Sequence, residues 1–325
     1  MADVNDENLK DLTDISPEQE VMLRDVLEGL AAEQKAIPSL YFYDERGSAL
    51  FEQITELPEY YPTRTEVAIM ESHGAEMAAA IGPGVRLVEL GSGSSMKTGR
   101  LLKHLESPAA YVPVDISQEH LLAAAERIAA EFPAIEVLPV CADFSEPMEL
   151  PQPRAEALRN VAYFPGSTLG NFPQDMAANL LALMSEEMGP GGGMLIGVDL
   201  KKAPEKVVPA YDDAAGVTAQ FNLNLLQRLN RELGADFDLD GFTHRAVWDE
   251  AGSRIQMHLV SRREQTVTIR DHRFHFHPGE HILTEYSHKY SLEAFAEFAA
   301  ANGFRVERVW TDPEQLFSVQ YLSVA

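Results

Sequence analysis

Cysteine is almost missing: the 325-residue chain has one, Cys141. An intramolecular disulfide is therefore excluded, as is a zinc site built on several thiolates, and the usage fits a reducing compartment. Basic residues are scarce too, 26 lysines and arginines against 51 aspartates and glutamates, for a formal charge of −25. Such a chain repels phosphate backbones and anionic lipid surfaces, which argues against nucleic acid and membrane as partners. A soluble protein kept apart by its own charge explains the acidity without any function. A monomer is expected, since self-association would need a specific interface. No apolar run approaches the roughly 18 residues that span a bilayer. The start, "MADVNDENLKDLTD", has neither the basic opening nor the apolar core of a secretory leader, so a cytoplasmic location is expected.

What is present is a 45% hydrophobic chain, enough for one large or two moderate cores. Residues 1–15 read as a mobile acidic tail. Ser16, Pro17 and Glu18 open a helix, and Met22, Leu23, Val26, Leu27 and Leu30 form its apolar stripe. From residue 39 to 64 the chain is aromatic and irregular, and a helix is expected over 65–81. Buried strands at 85–90, 110–117, 135–144, 160–166 and 191–200 then alternate with helices, the pattern of a parallel α/β sheet. Residues 205–233 read as one long helix. Period-two segments with a turn at Ala251-Gly252-Ser253 follow and read as antiparallel strands. A helix at 292–302 and two last strands return to the α/β style. The expected fold class is therefore α/β, a doubly wound domain of residues 65–200 plus 289–325. It is interrupted by a discontinuous α+β substrate-binding domain of residues 16–64 plus 201–288.

The stretch "VELGSGSSMKT" carries the first chemical signal. Gly91 and Gly93 follow the first strand of the α/β pattern, at the sheet edge where backbones approach ligands closely. Asp115 ends the next strand, at a spacing suited to ribose hydroxyls. Asp143 and Phe144 follow the third, an acid and an aromatic suited to an adenine amino group and ring. Asp115 and Asp143 would equally cap the helices that follow, as short acids often do. The third glycine of a dinucleotide fingerprint and the first glycine of a phosphate-binding loop are both missing. With Glu89 before the loop, this favours S-adenosylmethionine, which has no pyrophosphate to cradle. Lys97 then reads as a carboxylate partner or a solvated helix residue rather than a phosphate clamp.

After the fourth strand, "PGSTLGNFP" stands where base methyltransferases carry a proline-rich aromatic motif. Asn171 within it can donate and accept, which suits a small zwitterion, and it would also serve as a helix N-cap. The runs "YFYDERGSALFEQITELPEYYPTRTE", "LVELGSGSSMKT", "GSTLGNFP", "YDDAAGVTAQFN" and "LTEYSHKY" together resemble the histidine Nα-methyltransferases of ergothioneine biosynthesis. The resemblance covers nearly the whole chain beyond the acidic tail. It implies a class I, Rossmann-like methyltransferase domain with an inserted substrate domain. It also implies trimethylation of free L-histidine to hercynine by three molecules of S-adenosylmethionine.

By motif, the resemblance assigns Tyr43, Phe51 and Tyr60 to the pocket wall, with Tyr43, Tyr60 and Asn171 nearest the chemistry. It assigns Gly91, Gly93, Lys97, Asp115, Asp143 and Phe144 to the cofactor. Gly166, Asn171 and Tyr211 would hold the substrate's amine and carboxylate, Glu285 and Ser287 its imidazole, and Met257 would pack nearby. On residue grounds alone, the Tyr60-Tyr61 pair also suits simple packing and Glu285 a solvent-facing strand position. The chemistry needs no metal. His272, His275, His277 and His281 form a tempting run, and the last three share parity on a strand, yet a solvated edge strand accounts for them. Rival readings are methylation of another aromatic amino acid, a non-catalytic S-adenosylmethionine sensor, and a nicotinamide oxidoreductase, which the missing third glycine disfavours.

Overall fold

A computed structural model describes residues 9, 10, 13–15, 19–93 and 97–325. Most of the acidic tail, the helix opening at Ser16, Pro17 and Glu18, and residues 94–96 of the glycine loop lie outside the described residues. In chain order come β1 (Thr13–Ile15), α1 (Gln19–Ala31), α2 (Glu45–Thr55), α3 (Tyr61–Ile81), β2 (Val85–Leu90), α4 (Thr98–Leu102), β3 (Ala110–Asp115) and α5 (Gln118–Glu131). Then come β4 (Val140–Ala142), β5 (Arg159–Phe164), α6 (Gln174–Met188), β6 (Gly193–Asp199), α7 (Pro204–Tyr211) and α8 (Val217–Leu233). They are followed by β7 (Phe242–Asp249), β8 (Arg254–Ser261), β9 (Gln265–Ile269), β10 (His272–Phe276), β11 (His281–His288), α9 (Leu292–Ala301), β12 (Phe304–Thr311) and β13 (Phe317–Val324).

The chain forms two compact units. The first contains Pro62–Lys201 and Lys289–Ala325 together with β1, and the second contains the described residues from Gln19 to Tyr61 and Lys202–His288. In the first unit, an eight-stranded sheet runs in the order β1-β4-β3-β2-β5-β6-β13-β12. It is parallel from β1 to β6, while β13 pairs antiparallel with both β6 and β12. Every residue of β2, β3 and β6 is buried, as expected of strands covered on both faces. Val88, Val112 and Phe164 join the core on one side, and Leu87, Tyr111 and Tyr163 the core on the other. The strand order reverses between β2 and β5, which makes their carboxyl ends the switch point at which open α/β sheets take ligands. Gly91 directly follows β2, and Pro165-Gly166 follows β5. This is the Rossmann-like methyltransferase arrangement that the resemblance implied.

The second unit has a three-stranded antiparallel sheet, β11-β8-β7, and a β9–β10 hairpin. Helix α8 packs on α2 and β7, with Phe221 stacked on Phe42 at 4.5 Å between ring centroids.

Four sequence expectations need correction. The stretch 39–64, read as irregular, holds α2 (Glu45–Thr55), and α3 begins at Tyr61 rather than at 65. The single helix over 205–233 is two, because Gly216 takes a left-handed φ of +73° and the Asp213 carboxylate accepts from the Val217 and Thr218 backbone N–H groups, starting α8 afresh. The strand over 135–144 narrows to Val140–Ala142, since Pro139 has no N–H to give a ladder and Val137 makes only isolated bridges, to Leu9 and Tyr111. Within the span read as a mobile tail, Thr13–Ile15 adds a parallel strand beside β4.

Candidate active site

In the first unit the glycine loop leaves β2 with Gly91 at φ +68° and Gly93 at φ +47°, a left-handed path that favours glycine. The buried Asp115, at the end of β3, holds this path from beside: one carboxylate oxygen accepts from Gly93 N at 2.8 Å, the other from Ser117 N at 2.9 Å. Burial raises the Asp115 carboxyl above its ordinary value, against the pull of those backbone donors. After β4, Asp143 accepts from the Ser145 N–H at 2.9 Å and hydroxyl at 2.6 Å. Phe144 packs edge-on against Phe164 and Phe172, and its ring edge lies 3.5 Å from where a side chain at Gly91 would begin. Gly91, Gly93, Asp115, Asp143 and Phe144 therefore line one sheet edge, an open glycine backbone with an acid and a ring beside it. That set suits an adenosyl group.

Glu89 turns inward. It is fully buried, takes the Thr98 hydroxyl on both oxygens at 2.7 and 2.6 Å, and accepts the Tyr111 hydroxyl. It braces the loop's strand against α4.

Lys97 is paired to Glu66, a residue that sequence reasoning missed. Glu66, on α3, is wholly buried; it accepts the Lys97 ammonium, and also Gly166 N at 3.0 and 2.9 Å to its two oxygens. A side chain at Gly166, whose φ is +81°, would begin 3.4 Å from Lys97 Nζ. One carboxylate thus ties the glycine-loop lysine to the turn after β5. That turn is anchored at its other side: Asp199 N donates to Ser167 Oγ at 2.9 Å, and the Asp199 carboxylate pairs with Lys289 at 2.7 Å with both side chains fully buried. Asn171 ends the 3₁₀ turn Thr168–Asn171, and Pro173, not Asn171, stands at the N-cap of α6. The Asn171 side chain makes no hydrogen bond with the described residues.

In the second unit, Tyr43, Phe51, Tyr60 and Tyr211 form an edge-to-face aromatic chain, with ring centroids 5.9, 6.2 and 6.1 Å apart in that order. Phe221 sits against Tyr43 and Phe51 at 5.9 and 6.0 Å; no spacing rule singles it out, although it falls in the quoted "YDDAAGVTAQFN". Glu285 and Ser287 are two apart on β11 and so share a face, with Met257 directly opposite Glu285 on β8. All three are buried. The Tyr211 and Ser287 hydroxyls meet at 2.7 Å.

Tyr211, the last residue of α7, is held by a further residue not expected from sequence. His244 Nε2 bonds to the Tyr211 carbonyl at 2.8 Å, and Asn222 Nδ2 to His244 Nδ1 at 2.8 Å. Carbonyl and amide fix one tautomer, with Nε2–H donating and Nδ1 accepting. Burial lowers the His244 pKa, in keeping with the neutral ring that this pattern requires.

A family model described as "Histidine-specific methyltransferase, SAM-dependent" matches residues 22–324. The histidine N-alpha-methyltransferase of Mycolicibacterium smegmatis is 44% identical over 300 residues, spanning 90% of this chain and 92% of that protein. That of Mycobacterium tuberculosis is 44% identical over 295 residues, 89% of this chain and 90% of its own. A more distant relative, the 4-dimethylallyltryptophan N-methyltransferase easF of Aspergillus fumigatus, is 25% identical over 313 residues, with 89% of each chain covered. The chain belongs to the S-adenosylmethionine-dependent, histidine-specific methyltransferase family.

Proposed function

We propose that the chain trimethylates the α-amino group of free L-histidine to hercynine, with S-adenosylmethionine as donor, in ergothioneine biosynthesis. The observation that carries the choice of acceptor is the buried array of Glu285, Ser287 and Tyr211 beside Met257. A carboxylate and hydroxyls in an apolar wall suit a side chain with two ring N–H or N positions. An aromatic side chain lacking them would leave Glu285 buried and poorly matched, which penalises it more than lost contact area would.

The first unit is then the donor's. Gly91 and Gly93 let the backbone close on it, Asp115 takes the ribose hydroxyls, Asp143 the adenine amine with Phe144 over the ring, and Lys97 its carboxylate. When bound, S-adenosylmethionine supplies a methyl group already activated by sulfonium. The chain's own work is to hold the acceptor in line with it, largely a matter of positioning. In the first unit Gly166 and Asn171 are assigned to the amino acid's amine and carboxylate; in the second, Tyr60 and Tyr211 are assigned to the same groups, and Tyr43, Phe51 and Met257 to the pocket wall. An α-amino group of pKa about 8 has a neutral fraction at pH 7, so no strong base is needed. The second unit is the substrate-binding domain, and the chain acts as a monomer.

Mass spectrometry of the purified protein with S-adenosylmethionine and an equimolar amino-acid mixture tests this reading. Trimethylated histidine alone is the expected product. Methyl groups on a different amino acid would remove the imidazole role of Glu285 and Ser287. No methylation, with donor binding intact by calorimetry, would favour a sensor.

A further inference from the structure

The histidine run of the second unit is not used by methyl transfer, and the fold arranges it in a way its sequence does not suggest. In the β9–β10 hairpin, His275 stands directly opposite Thr266, and its Nδ1 lies 3.3 Å from the Thr266 hydroxyl. That partner leaves Nε2 facing Glu264 Oε1, also at 3.3 Å. His277, two residues on, stands beside His275 with ring centroids 4.7 Å apart and planes at 84°. One donor atom from each of Glu264, His275 and His277 lies within 4.8 Å of the others, and all three side chains are exposed. His281, grouped with them by parity, is elsewhere: its ring lies on His258 at 4.1 Å. His272 falls on the opposite face of β10 from His275.

We propose that Glu264, His275 and His277 form a surface site for a divalent transition-metal ion, with zinc as its reference member. Two imidazoles and a carboxylate are borderline donors suited to zinc, nickel or copper rather than magnesium or calcium. Two donors on one tetrahedral zinc, with bonds of about 2.0–2.1 Å, sit about 3.3 Å apart. The Glu264–His275 pair already has that separation, and His277 needs only a side-chain adjustment on an exposed surface. The Thr266 hydroxyl, which can accept from Nδ1–H, supplies the outer contact that orients the His275 ring with Nε2 toward Glu264. The fourth position is left to water. The site takes no part in the methyl-transfer reading above and does not depend on it.

The test is isothermal titration of Zn²⁺ into the protein purified without a histidine tag, in a non-chelating buffer. The expected result is one saturable site per chain, weakened about tenfold or more by His275→Ala or by His277→Ala, and unchanged by His272→Ala. Thr266→Val should weaken it by about tenfold through the lost outer contact. Because these residues are exposed, circular dichroism melts should coincide for all variants. If the geometry is only a histidine–carboxylate ion pair, saturable binding will be absent, or will survive the His275→Ala/His277→Ala double change; either result overturns the proposal.

Discussion

Burial pushes the Glu89 carboxyl up to about 8, against the donated bonds of Thr98 and Tyr111, so the folded protein is expected to hold its proton at neutral pH. The unfolded chain gives up that proton near 4.5. Below that pH both states are protonated and the group is neutral to folding; between about 4.5 and 8 the unfolded state is the less protonated, so stability falls as pH rises. Glu89→Gln mimics the protonated form and removes this slope. Its melting temperature should gain on the wild type across that window, and parallel curves would show that Glu89 is ionised when folded. Glu285→Ala should cut kcat/KM for histidine by about ten- to a hundredfold, the worth of hydrogen bonds to a charged group. The donor's affinity should move by less than about twofold; equal loss of both would remove Glu285 from the imidazole. At this scale the motifs led to the residues that ligands are proposed to touch. Glu66 and Lys289 stand inside quoted runs without being singled out there, and His244 and Asp199 lie outside them. These act on other residues of the protein across long sequence separations, and no local spacing encodes such a contact.

At the scale of elements, α7 ends on Tyr211 and is tied by its last carbonyl to His244 of β7. His244→Leu would remove that donor and Asn222's acceptor together, so the end of α7 should loosen. The expected signature is a raised KM for histidine with donor affinity unchanged. A lower kcat at constant KM would instead mark a role in the chemical step. On the next strand, His258 is held to about 4, first by burial and then by His281 and Arg245. Its unfolded value is 6.5, so the unfolded chain takes up this proton first. Stability is full above about 6.5 and is lost as pH falls toward 4, which acid melts of His258→Asn against wild type will register as a flatter curve. The break between α7 and α8 rests on Gly216. A Cβ there would meet no heavy atom within 4 Å, so Gly216→Ala isolates the backbone cost of the left-handed conformation, about 1 kcal/mol in denaturant unfolding. The alternation of strands and helices in the first unit was readable because buried runs and glycine loops are local signals. The α7–α8 break was not, since "YDDAAG" has ordinary helix formers on both sides and the left-handed residue is visible only once the turn is built.

At the scale of the molecule, the formal charge of −25 acts on the compact state as self-repulsion. Raising NaCl to physiological ionic strength shortens the screening length to about 8 Å, so the melting temperature should rise over that range. A flat or falling response would mean that local ion pairs such as Lys35–Glu280, at 2.5 Å, outweigh the net field. The family and its fold were legible because motifs recur through both units, whereas strand order was not: nothing local announces that β13 lies between β6 and β12. That placement bears on synthesis. Strand β6 is made before the 202–288 segment of the second unit, and its neighbour β13 only after it. At ribosomal speeds of about 5–20 residues per second, β6 waits on the order of ten seconds with one edge bare. An unpaired edge of buried-type residues is a template for association between nascent chains. Expression at lower temperature or with a holding chaperone should therefore raise the yield of this protein at a step that its folded-state stability does not report.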